Sequence, residues 1–259
     1  MQPLPTLQTS RLVLQPLQLS DAPAIQRRFA HWQVVRYLNA VVPWPYPDDG
    51  ALSSVRDVAL PAMARSEEWH WTIRLLAEPD ELIGSISLMD AVDNNRGFWL
   101  APQWQGQGLM SEACEVVDAY WFKTLHRACM HVPKAAPNTA SRLISERGGM
   151  RLIGREEKDF VSGRLPCELW GITREQWLAR QKTWGVKTPD PVKTNDQGRV
   201  ETLSARFVSG TGNQSFFSEI TLPVESKIIS YSRPSTFLMP SAFQIPAAGS
   251  WASIFLITV

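Results

Sequence analysis

Apolar residues recur along the chain in two rhythms. Between Leu109 and Leu125 the positions Leu109, Ala113, Val116, Val117, Tyr120 and Trp121 fall three and four apart, with Ser111, Glu112, Glu115, Asp118 and Lys123 off that stripe. A period near 3.6 predicts an amphipathic helix here. Elsewhere the rhythm is two. Arg11 to Leu17 alternates and predicts a strand, and Ser20-Asp21 offers a helix N-cap before Ala22 to Ala30. Glu68 to Leu75 and Leu82 to Leu88 predict paired strands, turned at Glu78-Pro79-Asp80. Gly97 to Leu100, Ala128 to Val132, Met150 to Arg155 and Leu165 to Ile172 predict further strands, with Asp159 to Arg164 as the turn before the last. Thr173 with Gln176 three residues on is a capping-box pattern, opening a helix to Trp184. Residues 41–50 hold three prolines and must form a loop. Strands alternating with helices imply an α+β architecture, a central sheet covered on both faces as in a three-layer α/β/α sandwich.

The periodic pattern stops near residue 185, which divides the chain into a domain over 1–185 and a tail over 186–259. The tail begins as a polar stretch, VKTPDPVKTNDQGR, that reads as a linker, and no charged residue follows Pro234. Phe207, Val208, Phe216, Phe217, Ile220, Leu222, Ile228, Ile229 and Tyr231 make short strands in one reading. A disordered tail is a second, and a stretch never selected as protein is a third.

Charge narrows the function. Over 259 residues, Lys+Arg number 26 and Asp+Glu 25, giving a net charge of +1. Without a basic excess, nucleic-acid binding is not expected as the main task. Three scattered cysteines, Cys114, Cys129 and Cys167, exclude a disulfide scaffold and fit a reducing, cytoplasmic setting. No Cys/His spacing resembles a zinc site, so no metal is expected. No apolar run is long enough to span a membrane, and the start is no signal peptide.

The chemistry concentrates in Phe98 to Ala113, FWLAPQWQGQGLMSEA. A strand ends at Leu100, Pro102 turns the chain, and Gly106 and Gly108 precede the long helix. Such a junction aims free backbone N–H groups and the positive helix end at one point, a ready anion site. The spacing Gln103-x-x-Gly106-x-Gly108 by itself also fits a plain glycine turn into a core helix. It is not a Walker loop, since no Gly-Lys-Ser/Thr follows, and it lacks the third glycine of the dinucleotide fingerprint.

Several further segments, taken with this one, resemble the GNAT (Gcn5-related) N-acetyltransferases, and among them the RimJ/RimL type that acetylates ribosomal-protein amino termini. They are Thr9-Ser10-Arg11-Leu12-Val13-Leu14, Leu82-Ile83-Gly84-Ser85-Ile86, WQGQGLMSEA, Asn138-Thr139-Ala140-Ser141, and Arg147-Gly148-Gly149-Met150 through Gly154. The likeness covers about residues 7–181. One departure is Gly149-Met150 where a glycine-aromatic pair is usual, and methionine fills a similar apolar slot.

The resemblance implies acetyl-CoA as co-substrate and a mixed, twisted sheet whose strands through Leu100 and Cys129 splay to admit it. Its pyrophosphate would lie on Gln103, Gln105, Gly106, Gln107 and Gly108 and on the helix start at Leu109 and Met110. Its pantetheine arm would run beside Trp99 and Leu100, with a backbone N–H near Leu100 holding the oxyanion. Asn138 would bond that arm, and Ser141, one turn on, would protonate the leaving thiolate. The four tyrosines are Tyr37, Tyr46, Tyr120 and Tyr231, and none closely follows Asn138, where the family often carries one. Glu168 is the first candidate for general base and Asp90 the second, each with a solvated surface charge as the alternative. Trp44 and Tyr46 line the acceptor pocket or simply pack their loop. His70 and His131 are buried strand histidines or catalytic ones, and Cys114 and Cys129 are core thiols. The acceptor implied is a protein amino terminus. A small-molecule amine such as an antibiotic or polyamine, and a non-catalytic acyl-CoA sensor, are the competing readings. Monomer and homodimer both remain open.

Overall fold

The computed structural model describes residues 3–183 and the strand residues 203–209 and 216–222. Residues 3–183 fall in one unit, and the two later segments in another. The expected linker, the apolar residues Ile228, Ile229 and Tyr231, and the charge-free end lie outside the described residues.

In the first unit, β1 (Leu7–Gln8), β2 (Leu12–Pro16), β3 (Glu68–Leu75), β4 (Glu78–Met89) and β5 (Arg96–Leu100) pair in that order in one antiparallel sheet. A second sheet has the order β6 (Cys129–Ala135), β8 (Gly163–Thr173), β7 (Arg151–Phe160). The expected splay between the strands through Leu100 and Cys129 is complete: β5 and β6 share no ladder, and the central layer is two antiparallel sheets. They touch where the Asn95 N–H donates to His131 O at 2.7 Å and the His131 N–H to Asn95 Oδ1 at 2.7 Å. Pro133 explains part of the parting. Alternation turns its nitrogen, like that of His131, to the β5 side, where it has no hydrogen to give.

Helices α1 (Ala22–Phe29), α2 (Trp32–Val35), α3 (Gly50–Ser54) and α4 (Leu60–Ala64) lie between β2 and β3, with a π-turn over Val55–Ala59. Helix α5 (Leu109–Ala119) follows β5, α6 (Thr139–Arg147) follows β6, and α7 (Arg174–Thr183) follows β8. Alternating side chains feed two cores. Phe98 and Leu100 join Trp69, Trp71 and the α5 stripe, whereas Trp99 and Leu82 join Ile25, Phe29 and Val55. Gly84 is required where these strands meet, because a Cβ there would stand 2.3 Å from Trp99 O. In the second unit, β9 (Leu203–Ser209) and β10 (Phe216–Leu222) pair antiparallel.

Local expectations changed in three places. The hairpin turns at Leu76-Ala77, and Glu78 to Asp80 belong to β4, whose first residue pairs with Leu75. The long helix leaves α geometry after Ala119 for a π-turn over Tyr120–Thr124. The extra residue in that turn brings Trp121 and Phe122 inward together. Asp21 does not cap α1. It accepts instead from the Gln18 N–H at 2.8 Å and from Arg74 at 2.6 Å. The capping box at α7 forms as expected, with Thr173 N–H to Gln176 Oε1 at 3.0 Å and Gln176 N–H to Thr173 Oγ1 at 3.2 Å.

Candidate active site

A cavity of about 370 Å³ opens where β5 and β6 part. Phe98, Trp99 and Leu100 of β5 form one wall, and the loop residues Trp104, Gln105, Gly106 and Gly108 continue it. Leu109 and Met110 at the start of α5 close one end. Asn138, Ser141, Ile144 and Arg147 on and beside α6 face them.

The glycines shape the anion end. Gly106 and Gly108 have φ of +75° and +77°, the left-handed region that favours glycine. Gly108 is the N-cap of α5, and no side chain caps the helix. Its first N–H groups therefore remain for another partner. Arg11 secures the loop by donating from Nη1 to Gln107 O at 3.1 Å. Glu112 in the first turn would oppose an anion. Thr9 Oγ1 donates to it at 2.5 Å, and the Arg11 backbone N–H and Nε at 2.9 and 2.7 Å. Burial pushes the Glu112 carboxyl up, but these bonds outweigh it and the net shift is down. The opening Thr9-Ser10-Arg11 segment is thus a brace for the glycine loop.

The β5 edge supplies backbone groups. The Ala101 N–H donates to Ile83 O at 2.9 Å, on the β4 side. Alternation then turns the Phe98 and Leu100 N–H groups away from β4, toward the gap. Gln105 Nε2 donates to Leu100 O at 2.8 Å and fixes that strand end. Across the gap, Asn138 caps α6 by accepting the Ser141 N–H at 3.2 Å, and its buried Nδ2 has no partner. An orphaned amide donor beside a lined cavity calls for an acceptor atom from a ligand. An amide-bearing pantetheine arm supplies such atoms, and the capless glycine turn suits a pyrophosphate, so the residues fit acetyl-CoA.

The cavity thus gathers Trp99, Leu100, Gln105, Gly106, Gly108, Leu109, Met110, Asn138 and Ser141. Gln103 and Gln107 do not line it. Gln107 Nε2 donates to Gln103 O at 3.0 Å and stiffens the loop. Glu168 lies off the cavity on β8, buried, with Arg142 Nε at 2.9 Å and Arg155 Nη2 at 3.5 Å. Asp90 pairs with Arg127 at 2.7 Å beside a separate hollow. His70 is buried against Glu68 at 2.8 Å, and His131 meets Asp93 at 2.9 Å. Trp44 packs on Trp32 and Tyr46 on Phe29, so neither reaches the cavity. Burial pushes the Cys114 thiol up to about 12, which leaves it un-ionised at neutral pH.

Two contributions are absent from the sequence reading. Gln33, Val34, Arg36 and Tyr37, in and just after the one-turn α2, line the cavity mouth. Four residues are too few to show a helical period. Lys134 is fully buried on β6 and donates from Nζ to Ser141 Oγ at 2.6 Å. The strand predicted over Ala128 to Val132 stops before Pro133, so Lys134 falls outside it.

Two parted antiparallel sheets, a glycine turn into a helix at their mouth, and an asparagine-capped helix opposite define an acyltransferase-type site. The GNAT acetyltransferase domain profile matches residues 11–151, and the chain belongs to that family. YdaF of Bacillus subtilis (strain 168), a candidate ribosomal N-acetyltransferase, is 26% identical over 102 residues. That stretch is 37% of this chain and 56% of YdaF, so the chain matches about half the length of this curated relative. RimL, a ribosomal-protein α-N-acetyltransferase solved with coenzyme A, superposes with a TM-score of 0.56 at 17% identity, over 65% of this chain and 98% of RimL. A ribosomal-protein-alanine acetyltransferase from Vibrio fischeri gives 0.55 at 15% identity, over 67% and 98%. At these identities the structures speak to the fold. No helix among the described residues is long and apolar enough to cross a membrane.

Proposed function

We propose that this chain is an acetyl-CoA-dependent N-acetyltransferase acting on the α-amino group of a protein or peptide. The domain over 1–185 carries the activity in this reading. The observation that carries it is the cavity between β5 and β6: an unfilled asparagine donor, a capless glycine turn, and no Asp or Glu among its lining residues. The charged side chains there are Arg36 and Arg147. Such a lining suits phosphates and an acceptor that is neutral or acidic, and it gives a polyamine or aminoglycoside nothing to pair with. The relatives named for ribosomal-protein acetylation support the same acceptor class.

Acetyl-CoA supplies a thioester-activated acetyl group. The chain's own residues bind and orient. The first N–H groups of α5 and the glycine loop hold the phosphates. Asn138 Nδ2 donates to the arm, and the gap-facing N–H of Leu100 stabilises charge on the acetyl oxygen. Ser141 gives its proton to the departing sulfur. An α-amino group has a pKa of about 7.7–8.0, so a fraction is neutral at pH 7 and water removes the proton lost on attack. Glu168, off the cavity and held by Arg142 and Arg155, is not the base in this scheme and instead anchors α6 through Arg142.

The test is calorimetric titration with acetyl-CoA, then a rate comparison of Ser- and Ala-initiated peptides with spermidine and an aminoglycoside. The expected result is acetyl-CoA binding and turnover of peptides. Faster turnover of the polycations would overturn the acceptor, and absent binding would overturn the reaction. Ser141→Ala is expected to lower kcat by about 100-fold while acetyl-CoA affinity holds.

A further inference from the structure

Lys134 is a lysine in a place where a charge is costly. It lies on β6 with no exposed surface, its Nζ 2.6 Å from Ser141 Oγ and 5.0 Å from the centre of the Phe98 ring. Phe98 and Ser141 both line the cavity, so the Lys134 head lies behind its lining and reaches it through the Ser141 hydroxyl. The ionisable groups that act on it come from every neighbouring element. They are Arg96 from β5, Cys114 and Asp118 from α5, and Cys167 from β8. Asp118 is itself taken up by Arg96, both carboxylate oxygens lying 2.5 Å from Nη1.

Hydrogen-bond chemistry fixes what this arrangement does. An ammonium has three donors and no acceptor. While Lys134 is charged, its N–H fills a lone pair of Ser141 Oγ, and the serine's own proton must point elsewhere. Loss of a proton from Lys134 reverses this, because a neutral amine can accept the hydroxyl proton and turn it away from the cavity.

We propose that Lys134 is a positioning residue for the transfer: it aims the Ser141 hydroxyl at the departing sulfur and restores the proton that Ser141 gives up. The proposal rests on the acetyltransferase reading above. As the carbon–sulfur bond breaks, its electron pair goes to sulfur, and the Ser141 proton follows. The Lys134 ammonium passes a proton to Ser141 Oγ and becomes neutral. Water in the cavity that has received the proton lost by the attacking amine passes it to Ser141 Oγ, which hands its own proton to the buried Lys134 amine, and the balance closes.

Burial, with Arg96 adding to it, pushes the Lys134 ammonium down to about 7, against the pull of Cys114, Asp118 and Cys167. The relay is therefore armed below about 7 and is lost as the pH rises through it.

The experiment uses the full chain, Lys134→Met and Ser141→Ala. Lysine 13Cε shifts are followed by NMR without acetyl-CoA, and kcat is measured across pH at saturating peptide and acetyl-CoA. One lysine resonance, missing from Lys134→Met, is expected to titrate near 7, with a lower midpoint in Ser141→Ala. Wild-type kcat carries an alkaline limb near neutrality, and Lys134→Met loses that limb and about 100-fold in kcat at pH 6.5. Its acetyl-CoA affinity stays within about twofold. Methionine removes a buried charge, so the Lys134→Met melting temperature is equal or higher. That gain is widest below pH 7, where the charge persists in the fold, and fades toward the free-lysine value of 10.5. A merely structural lysine would instead lower the melting temperature and leave the pH profile unchanged. Wild-type kcat and limb in Lys134→Met, or a Lys134 midpoint near 10, would overturn the proposal. A wild-type chain that binds no acetyl-CoA overturns the acetyltransferase reading, and in that case the Ser141-dependent NMR midpoint still decides the Lys134–Ser141 coupling.

Discussion

Asp118→Ala is expected to lower the unfolding free energy by about 3–5 kcal/mol, the cost of leaving a buried charge alone. Arg96 of β5 and Asp118 of α5 are both buried, and Asp118 takes the Arg96 guanidinium with two contacts of 2.5 Å. Burial alone would pull Arg96 down, yet Asp118 and Cys114 outweigh it and the net shift is upward, so its charge persists in any accessible pH. Removing Asp118 cannot neutralise it. At about 2–4 °C per kcal/mol for a domain of this size, the melting temperature falls by roughly 10 °C. The check is thermal or urea unfolding, with Arg96→Met/Asp118→Leu as the partner variant. The double variant should recover most of the loss, since apolar replacements of a buried pair are often neutral or better. A single variant that melts with the wild type would mean water already reaches Arg96.

Gly106→Asp is expected to weaken acetyl-CoA binding by at least 100-fold, about 2.7 kcal/mol. A Cβ built at Gly106 meets nothing within 4 Å, so the added side chain enters open cavity rather than protein. It brings a carboxylate to the point where the loop and the α5 start present N–H groups to an anion. The positive φ adds roughly 1–2 kcal/mol of backbone strain. Gly106→Ala carries the strain without the charge, and calorimetry on the pair separates the two effects. Aspartate binding as well as alanine would show that the phosphates lie elsewhere.

The fold was legible where burial imposes one period. The α5 stripe, the β3 segment Glu68–Leu75 and the Thr173–Gln176 box each need only local pattern, and each formed. The turn at Leu76-Ala77 was hidden by Pro79, whose turn preference outweighs a strand reading although the exposed start of β4 tolerates it. The glycine loop was legible in type and spacing as an anion-binding junction, whereas Asn138 and Ser141 were named only through the family resemblance, and the structure places both on the cavity. Lys134 was not, because its meaning comes from a side chain seven residues on and a strand pairing that no local window contains. Glu168 shows the converse. Its type suits a base, but two arginines from separate elements claim it, and nothing in its own segment announces them.

The missing hydrogen at Pro133 has a thermodynamic consequence. Two neighbouring strand edges with complete donors and acceptors gain by zipping together, and a ligand between them would then compete with the sheet itself. Here His131 is engaged by Asn95, just before β5, through that residue's side-chain oxygen and backbone N–H, and two residues later Pro133 has no N–H to give. The interval beside Phe98 and Leu100 is consequently held open before any ligand arrives. Association need not await a rare separated conformer, and observed affinity is not divided by its small population. Replacing the imino acid by valine would restore a competitor for the same backbone groups, built into the chain.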